Sequence, residues 1–405
     1  MRAVLLALLA SSLASPVALG QEPVTPEQQE ARKREAEASE DPLKQRQSEK
    51  VDRPDLWSSE PSGVDLYGSA RLRYRWAERD DAIFGDGGSR VGVDARWQYR
   101  PQSWLFGRVE AGINLLDAVD RVFSPSSRSD NDSAVLFPRL YYIALETPDL
   151  IAAFGKSWST YYQVTAFTDQ FDSTGGSASG TYNAQTDGGP TGTGRANEVL
   201  QTRLTVDWFP ESFHVKPFDM NIQVQYDREI PQVAGAHYGL AFDASAVFKT
   251  KNDTEVGFAY NYAQVRDKHA PAVVAAGIGG DAQALAIAAR RISDRWYLAS
   301  TVARLRNHET TNEGRYVDFW GWEVYGRYRL FGKLWVVGGW NWLQPDGGQP
   351  LAGQYQVKYG VLGLRYSIKE FRRLLYFEAR IDQSHNADGT PVGNSAALGI
   401  RWDFD

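Results

Sequence analysis

DMNIQVQYD, residues 219–227, decides the fold. Met220, Ile222, Val224 and Tyr226 fall on one side, and Asn221, Gln223, Gln225 and Asp227 on the other. A strand sends successive side chains to opposite faces, so a strict period of two means one apolar and one polar face. Working outward, the same split recurs. VDLYGSARLRYRW (64–76) sets Ala70, Leu72, Tyr74 and Trp76 against Ser69, Arg71, Arg73 and Arg75. RVGVDARWQYR (90–100), LFGRVEAGINL (105–115), VLQTRLTVDW (199–208), LLYFEARID (374–382) and ALGIRWDF (397–404) repeat it. Ala282–Arg291 is nearly all alanine and Leu334–Trp342 is apolar on both sides, so these two are read as strands from their place in the series.

Counting gives sixteen candidate strands between 64–76 and 394–404, mostly long enough for the ~9–11 residues that cross a bilayer when tilted. Their connections alternate. Short turns sit at Pro101, Thr147, Lys251, Ile292, Leu330 and Ile368. Long polar loops include ERDDAIFGDGGS, AVDRVFSPSSRSDNDS, QVRDKHAPAVVAAGIGGDAQ, RNHETTNEGRY and QSHNADGTPVGN. Short periplasmic turns, long outer loops and an even strand number are the rule for transmembrane barrels. A soluble sandwich or propeller explains the alternation but not this rhythm together with 13 Trp and 20 Tyr, which suit interfacial girdles. The expected fold is all-β, a 16-stranded antiparallel transmembrane β-barrel over residues 62–405.

Composition agrees. Mean hydropathy is −0.44, and beyond the N-terminus no apolar run approaches the ~20 residues of a spanning helix. A net charge of −6 argues against a nucleic-acid partner. The chain has no Cys, which suits an envelope protein that avoids stray disulfides. Residues 1–20 read as a secretory signal peptide: Arg2, the apolar VLLALLASSLA, then small residues at Ala18-Leu19-Gly20. Residues 21–61 are dense in Glu, Lys, Arg and Gln and lack an apolar stripe, so they cannot bury a helix face. They are expected to be a disordered periplasmic extension, the alternative being a small oligomerising or cell-wall-contacting segment.

Gly155–Arg195, GKSWSTYYQVTAFTDQFDSTGGSASGTYNAQTDGGPTGTGR, breaks the pattern. So long an insert without helical or strand period counts against compact packing unless it has a function. The expectation is a third loop, about 157–195, folded into the lumen, where irregular backbone lines water rather than lipid. Gly175 and Gly176 would help it turn along the wall.

These stretches resemble the trimeric general-diffusion porins of Gram-negative outer membranes. VDLYGSARLRYRW is similar to that family's first strand. FPRLYYIAL followed by GKSWSTYYQVTAFTDQFDSTGG is similar to its fourth and fifth strands entering the third loop, and RANEVLQTRL to the strand leaving it. The resemblance covers roughly residues 63 to 404. It implies a homotrimer in the cell outer membrane, with outer-membrane lipid and lipopolysaccharide around it, and an hourglass pore for small hydrophilic solutes and ions. It also implies an eyelet in which basic wall residues face acids on the loop. By position the wall arginines match Arg90, Arg139 and Arg195, and the first loop acid matches Asp169. The sequence departs at Ser69, where the family usually has lysine. It departs again at Phe171-Asp172-Ser173-Thr174, where Asp172 substitutes for the second acid, and at Asp405, which follows the terminal aromatic Phe404.

Alternation independently puts Arg71, Arg73, Arg75, Arg90, Arg96 and Arg139 on the inward side, since arginine facing lipid near midplane costs about 2–4 kcal/mol. Opposite Asp169 and Asp172 they would set a transverse field, felt because the Debye length is about 10 Å at 0.1 M salt. The bland alternative is that they solvate the lumen and pair with Asp94, Glu110 and Asp207. The histidines, His214, His237, His269, His308 and His385, are all placed in turns, loops or at a strand end. No cofactor, metal site or catalytic cluster is expected: no Ser-His-acid order stands out and HExxH is lacking. The functional expectation is a passive diffusion porin, not an enzyme. The runner-up is a substrate-selective porin for anionic solutes or sugars, in which Trp158, Tyr161 and Tyr162 would form a sugar track.

Overall fold

The computed structural model describes residues 62–116, 118, 135–206, 218–250, 253–369 and 372–404. The proposed signal peptide, the 21–61 extension, most of the loop AVDRVFSPSSRSDNDS, Asp207, His214 and Asp405 lie outside the described residues.

Within them the strands are β1 (Ser62–Ala77), β2 (Asp80–Asp86), β3 (Arg90–Arg100), β4 (Ser103–Ile113), β5 (Leu136–Glu146), β6 (Leu150–Trp158), β7 (Arg195–Val206), β8 (Phe218–Glu229) and β9 (His237–Lys249). They continue as β10 (Thr254–Val265), β11 (Ala282–Ile292), β12 (Trp296–Thr310), β13 (Tyr316–Phe331), β14 (Leu334–Pro345), β15 (Val357–Lys369), β16 (Arg373–Asp382) and β17 (Ser395–Phe404). Among the described residues the helices that can be bounded are α1 (Tyr162–Thr165) and α2 (Pro271–Ala275).

All strand pairings are antiparallel between neighbours, and β17 closes on β1 from Gly68↔Phe404 to Ala77↔Ser395. The strand β2 pairs with the C-terminal part of β1 (Leu72↔Asp86), while β3 pairs with its N-terminal part (Ser69↔Arg90). Together β2 and β3 make one stave, so seventeen segments form a sixteen-stave closed barrel. Closure removes the free sheet edges that cannot exist in lipid.

The alternation resolves as read. On β3 and β4 the apolar Val93, Trp97, Leu105 and Val109 are exposed outward, whereas Asp94, Arg96, Arg108 and Glu110 are buried inside. The same holds for Ile222 and Val224 outside against Asn221, Gln223 and Gln225 inside. This is the outer-apolar, inner-polar division of a membrane barrel, inverted relative to a soluble core.

Two differences from expectation have local causes. DDAIFGD, read as loop, is β2. Its adjacent Ile83 and Phe84 break the period of two, and Asp86 then accepts N–H bonds from Gly88 (2.7 Å) and Ser89 (2.8 Å) in a turn that leads straight into β3. RNHETTNEGRY, also read as loop, is mostly strand, since Thr310 pairs with Tyr316. Its polar residues face inward to serve the long insert. His308 therefore lies inside β12, fully buried, and not in a turn.

Candidate functional site: the lumen and its inserted loop

The segment 159–194, between β6 and β7, bonds to and packs on side chains of the wall that are buried on the face opposite the apolar one. The segment opens with α1, which packs against β9, β10 and β11. The wall there is cut back to make room: Ala284, Ala286 and Ala288 are buried beneath Val164 and Phe167. A Cβ on Gly257 would come within 2.9 Å of Val164. That explains the alanine-rich strand that had no clear period of its own. Farther on, a Cβ on Gly321 would sit 1.7 Å from the Ala178 carbonyl, and one on Gly339 2.8 Å from Phe171.

Wall carboxylates grip the loop backbone. Glu378 on β16 accepts N–H bonds from Asp172 (2.8 Å), Ser173 (2.9 Å) and Thr174 (3.3 Å). Glu323 on β13 accepts from Ala178 (2.7 Å) and Ser179 (2.9 Å), and from the Thr168 hydroxyl (2.6 Å). Glu309 on β12 accepts the Ala184 N–H at 2.7 Å. Irregular backbone must satisfy its polar groups somewhere, and here inward acids from three strands do so. These three glutamates were not singled out from sequence, where acids on β-strands give no sign of which partner they will meet.

The residues expected at an eyelet are partnered as follows. Arg90 (3.6 Å) and Arg139 (2.6 Å) both reach Glu110, and the Tyr67 hydroxyl donates to the same carboxylate at 3.2 Å. Arg108 forks onto Asp94 at 2.7 and 2.8 Å. Arg71 donates to the Ser69 hydroxyl at 2.8 Å. Arg73 is half-buried on β1. Arg75 stands apart: it is exposed near the end of β1 and pairs with Asp80 of β2 at 3.4 Å, away from the basic group. Arg195 reaches Asp187 at 3.2 Å.

The loop acids are engaged within the loop and the far wall. Asp169 accepts hydroxyl bonds from Tyr162 and Tyr182, both 2.9 Å. Asp172 pairs with Arg365 of β15 at 2.6 Å. Of the alternative pairing, Glu110 takes two of the named arginines, Arg90 and Arg139, whereas Asp94 takes Arg108, which is outside that set. Trp158, Tyr161 and Tyr162 are buried between loop and wall; Trp158 stacks on Tyr162 with centroids 4.1 Å apart.

Sequence reading missed Lys156 and Asp187. Lys156 pairs in register with Tyr141, whose side chain is exposed outward. A bulge between Gly155 and Ser157 re-aims it, with Gly155 at φ +132°, a conformation other residues resist. The ammonium then reaches Asp187 (2.9 Å) and Asn197 (2.5 Å). Burial on its own would raise the Asp187 carboxyl, but the charges of Arg195 and Lys156 outweigh it and hold the group below the usual carboxylate range. Gly155-Lys156 is the signal that was available: a glycine followed by a cation where the strand should face lipid.

Comparison with known proteins follows the geometry. No family model matches the chain. It is 26% identical over 266 residues to outer membrane porin F of Xenorhabdus nematophila, an alignment covering 62% of this chain and 64% of that relative. In structure it is similar to Salmonella typhi OmpF in complex with daunomycin (TM-score 0.67, 19% identity, 85% of this chain and 98% of that one). It is also similar to Vibrio cholerae OmpT in its trimer form (TM-score 0.60, 16% identity, 85% and 100%). A third likeness is the outer membrane channel DcaP of Acinetobacter baumannii (TM-score 0.60, 12% identity, 86% and 99%). With its closed sixteen-stave barrel, outer apolar face and polar interior, the chain carries the fold of the outer-membrane general porins.

Proposed function

We propose that the chain is an outer-membrane diffusion porin, a channel and not an enzyme, through which small hydrophilic solutes and ions pass. The observation that carries this reading is the polar interior of a closed barrel whose outer face is apolar, with one loop lying inside it. A barrel of sixteen strands is wide enough to leave an aqueous channel. The segment 159–194 narrows it, and the constriction has Arg71, Arg73, Arg90, Arg139 and Arg195 on its basic side, with Asp169 and Asp172 on the loop. Residues 1–20 direct export and are removed, and 21–61 extend into the periplasm. Three copies assemble in the membrane, a reading that the trimer form of the Vibrio cholerae protein supports.

Of the selective readings, the anionic one is favoured over sugars. Trp158, Tyr161 and Tyr162 are packed between loop and wall and offer no ring face to a solute. Reconstitution of the purified, folded protein in a planar bilayer tests the proposal. Stepwise ohmic openings in KCl are the expected result. Folded protein that never conducts refutes it.

A further inference from the structure

Asp169 and Asp172 are both turned into the loop–wall interface, their side chains held by tyrosine hydroxyls and by Arg365. Asp187 differs. Its side chain is 27% exposed, the Asp172 side chain only 7%. Its Oδ1 accepts the Gly189 N–H at 3.0 Å and its Oδ2 takes both Lys156 and Arg195, so the carboxylate is fixed in place. Two cations share this one acid, leaving a net charge of about +1. Arg195 spends only Nε on Asp187, and its guanidinium lies 5.5 Å from the Trp158 ring centroid. A guanidinium has five N–H donors. The two terminal nitrogens of Arg195 bond to none of the described residues, and neither is buried without a partner. They therefore face lumen water.

We infer that Lys156, Asp187 and Arg195 form an anion seat on the pore path, in which Asp187 is the resident counter-anion and a passing carboxylate or phosphate group takes up the free donors of Arg195. The seat sets the selectivity of the proposed channel for small carboxylate- or phosphate-bearing solutes. This inference rests on the porin reading. It needs neither Asp169 nor Asp172: Asp187, the loop acid already bound to both cations, sets how strongly an anion is held. Arg–oxyanion geometry suits this, because the planar fork can bind two oxygens at once.

The test uses the full-length protein in planar bilayers, with reversal potential in a KCl gradient and block by inorganic phosphate as readouts. Asp187→Asn removes the competing negative charge. One unit charge about 6 Å away in water with partial screening changes the partition of each ion by roughly twofold to threefold, in opposite senses, so the chloride-to-potassium permeability ratio is expected to rise about fourfold to tenfold. Phosphate block should strengthen. Lys156→Gln and Arg195→Gln should shift the ratio the opposite way by a similar factor and weaken the block. If all three variants conduct with unmoved reversal potentials and unchanged phosphate block, the seat is refuted while the porin reading stands. If folded wild-type protein does not conduct, the porin reading falls first. Two lysine- and arginine-side variants guard against Asp187→Asn failing to fold, since either alone moves the ratio if the seat exists.

Discussion

Replacing Glu323 should free the middle of the inserted loop, and the structure sets the scale. Glu323 is 1% exposed and accepts three donors from two separated parts of the loop: the N–H groups of Ala178 and Ser179 and the hydroxyl of Thr168. Hydrogen bonds to a charged group contribute roughly 1.5–3 kcal/mol each, and a stranded buried donor costs about 1–3 kcal/mol. Ala178 and Ser179 are almost fully buried, so water does not readily replace the carboxylate. Glu323→Ala should therefore weaken the hold by about 3–5 kcal/mol after relaxation, which at ~1.4 kcal/mol per factor of ten is at least a hundredfold rise in the released state. Glu323→Gln keeps one oxygen for the two N–H groups and loses only the charge, so about tenfold is expected. The chain has no cysteine, and Ser179 is 1% exposed, so Ser179→Cys gives a clean reporter whose reaction with a soluble thiol reagent requires the loop to leave the wall. The expected order of labelling rates is wild type, then Gln, then Ala, each in the Ser179→Cys background with barrel content checked by circular dichroism. Equal rates in all three would refute the carboxylate grip.

Other expectations follow from the same geometry. The Asp187 carboxyl is depressed in the folded protein, so its contribution is complete above the ordinary carboxylate range, about 3.9, and fades as pH falls through its lowered folded value; loop-release rates should rise in that acid window in wild type, and Asp187→Asn should show a smaller rise there, the remainder belonging to the other carboxylates that hold the loop. Gly321→Val places atoms where the Ala178 carbonyl now lies, 1.7 Å from the first added carbon; displaced from Glu323, the loop should alter unit conductance, which single-channel recording reads. Ala286→Phe overfills the packed floor beneath Val164 and Phe167 and should lower stability by about 1–3 kcal/mol, measured as a shift in the urea midpoint in lipid vesicles. Leu362→Arg on the outer face of β15 should cost about 2–4 kcal/mol if it lies near midplane, also read from that urea midpoint.

How much of this was legible in the sequence differs by element. The faces of β3, β4, β8 and β16 follow from alternation, because side-chain direction in a strand is a local property of the backbone. The alanines of β11 carried a second message that local rules cannot decode: they are small because Val164 and Phe167 come to rest on them. The positions of Arg90, Arg139 and Arg195 were found by resemblance, yet their partners were not. Glu110 serves two arginines from adjacent strands, and Asp187 arrives from a loop 31 residues beyond Lys156. Nothing in spacing along the chain specifies such meetings.

By itself the sequence determined a sixteen-stave barrel with an apolar outside, a polar inside and one long irregular insert between β6 and β7. Period, turn chemistry and composition act over a few residues, so they can be read in order. Only the tertiary structure decided where the charges go. It withdrew Asp169 and Asp172 into the loop–wall interface, used Glu309, Glu323 and Glu378 to hold backbone, and turned Lys156 inward through the bulge at Gly155. The physical reason is that a Coulomb or hydrogen-bond partner is chosen by distance in space, and in a closed barrel with an inserted loop that distance is set by closure and by the path of the loop.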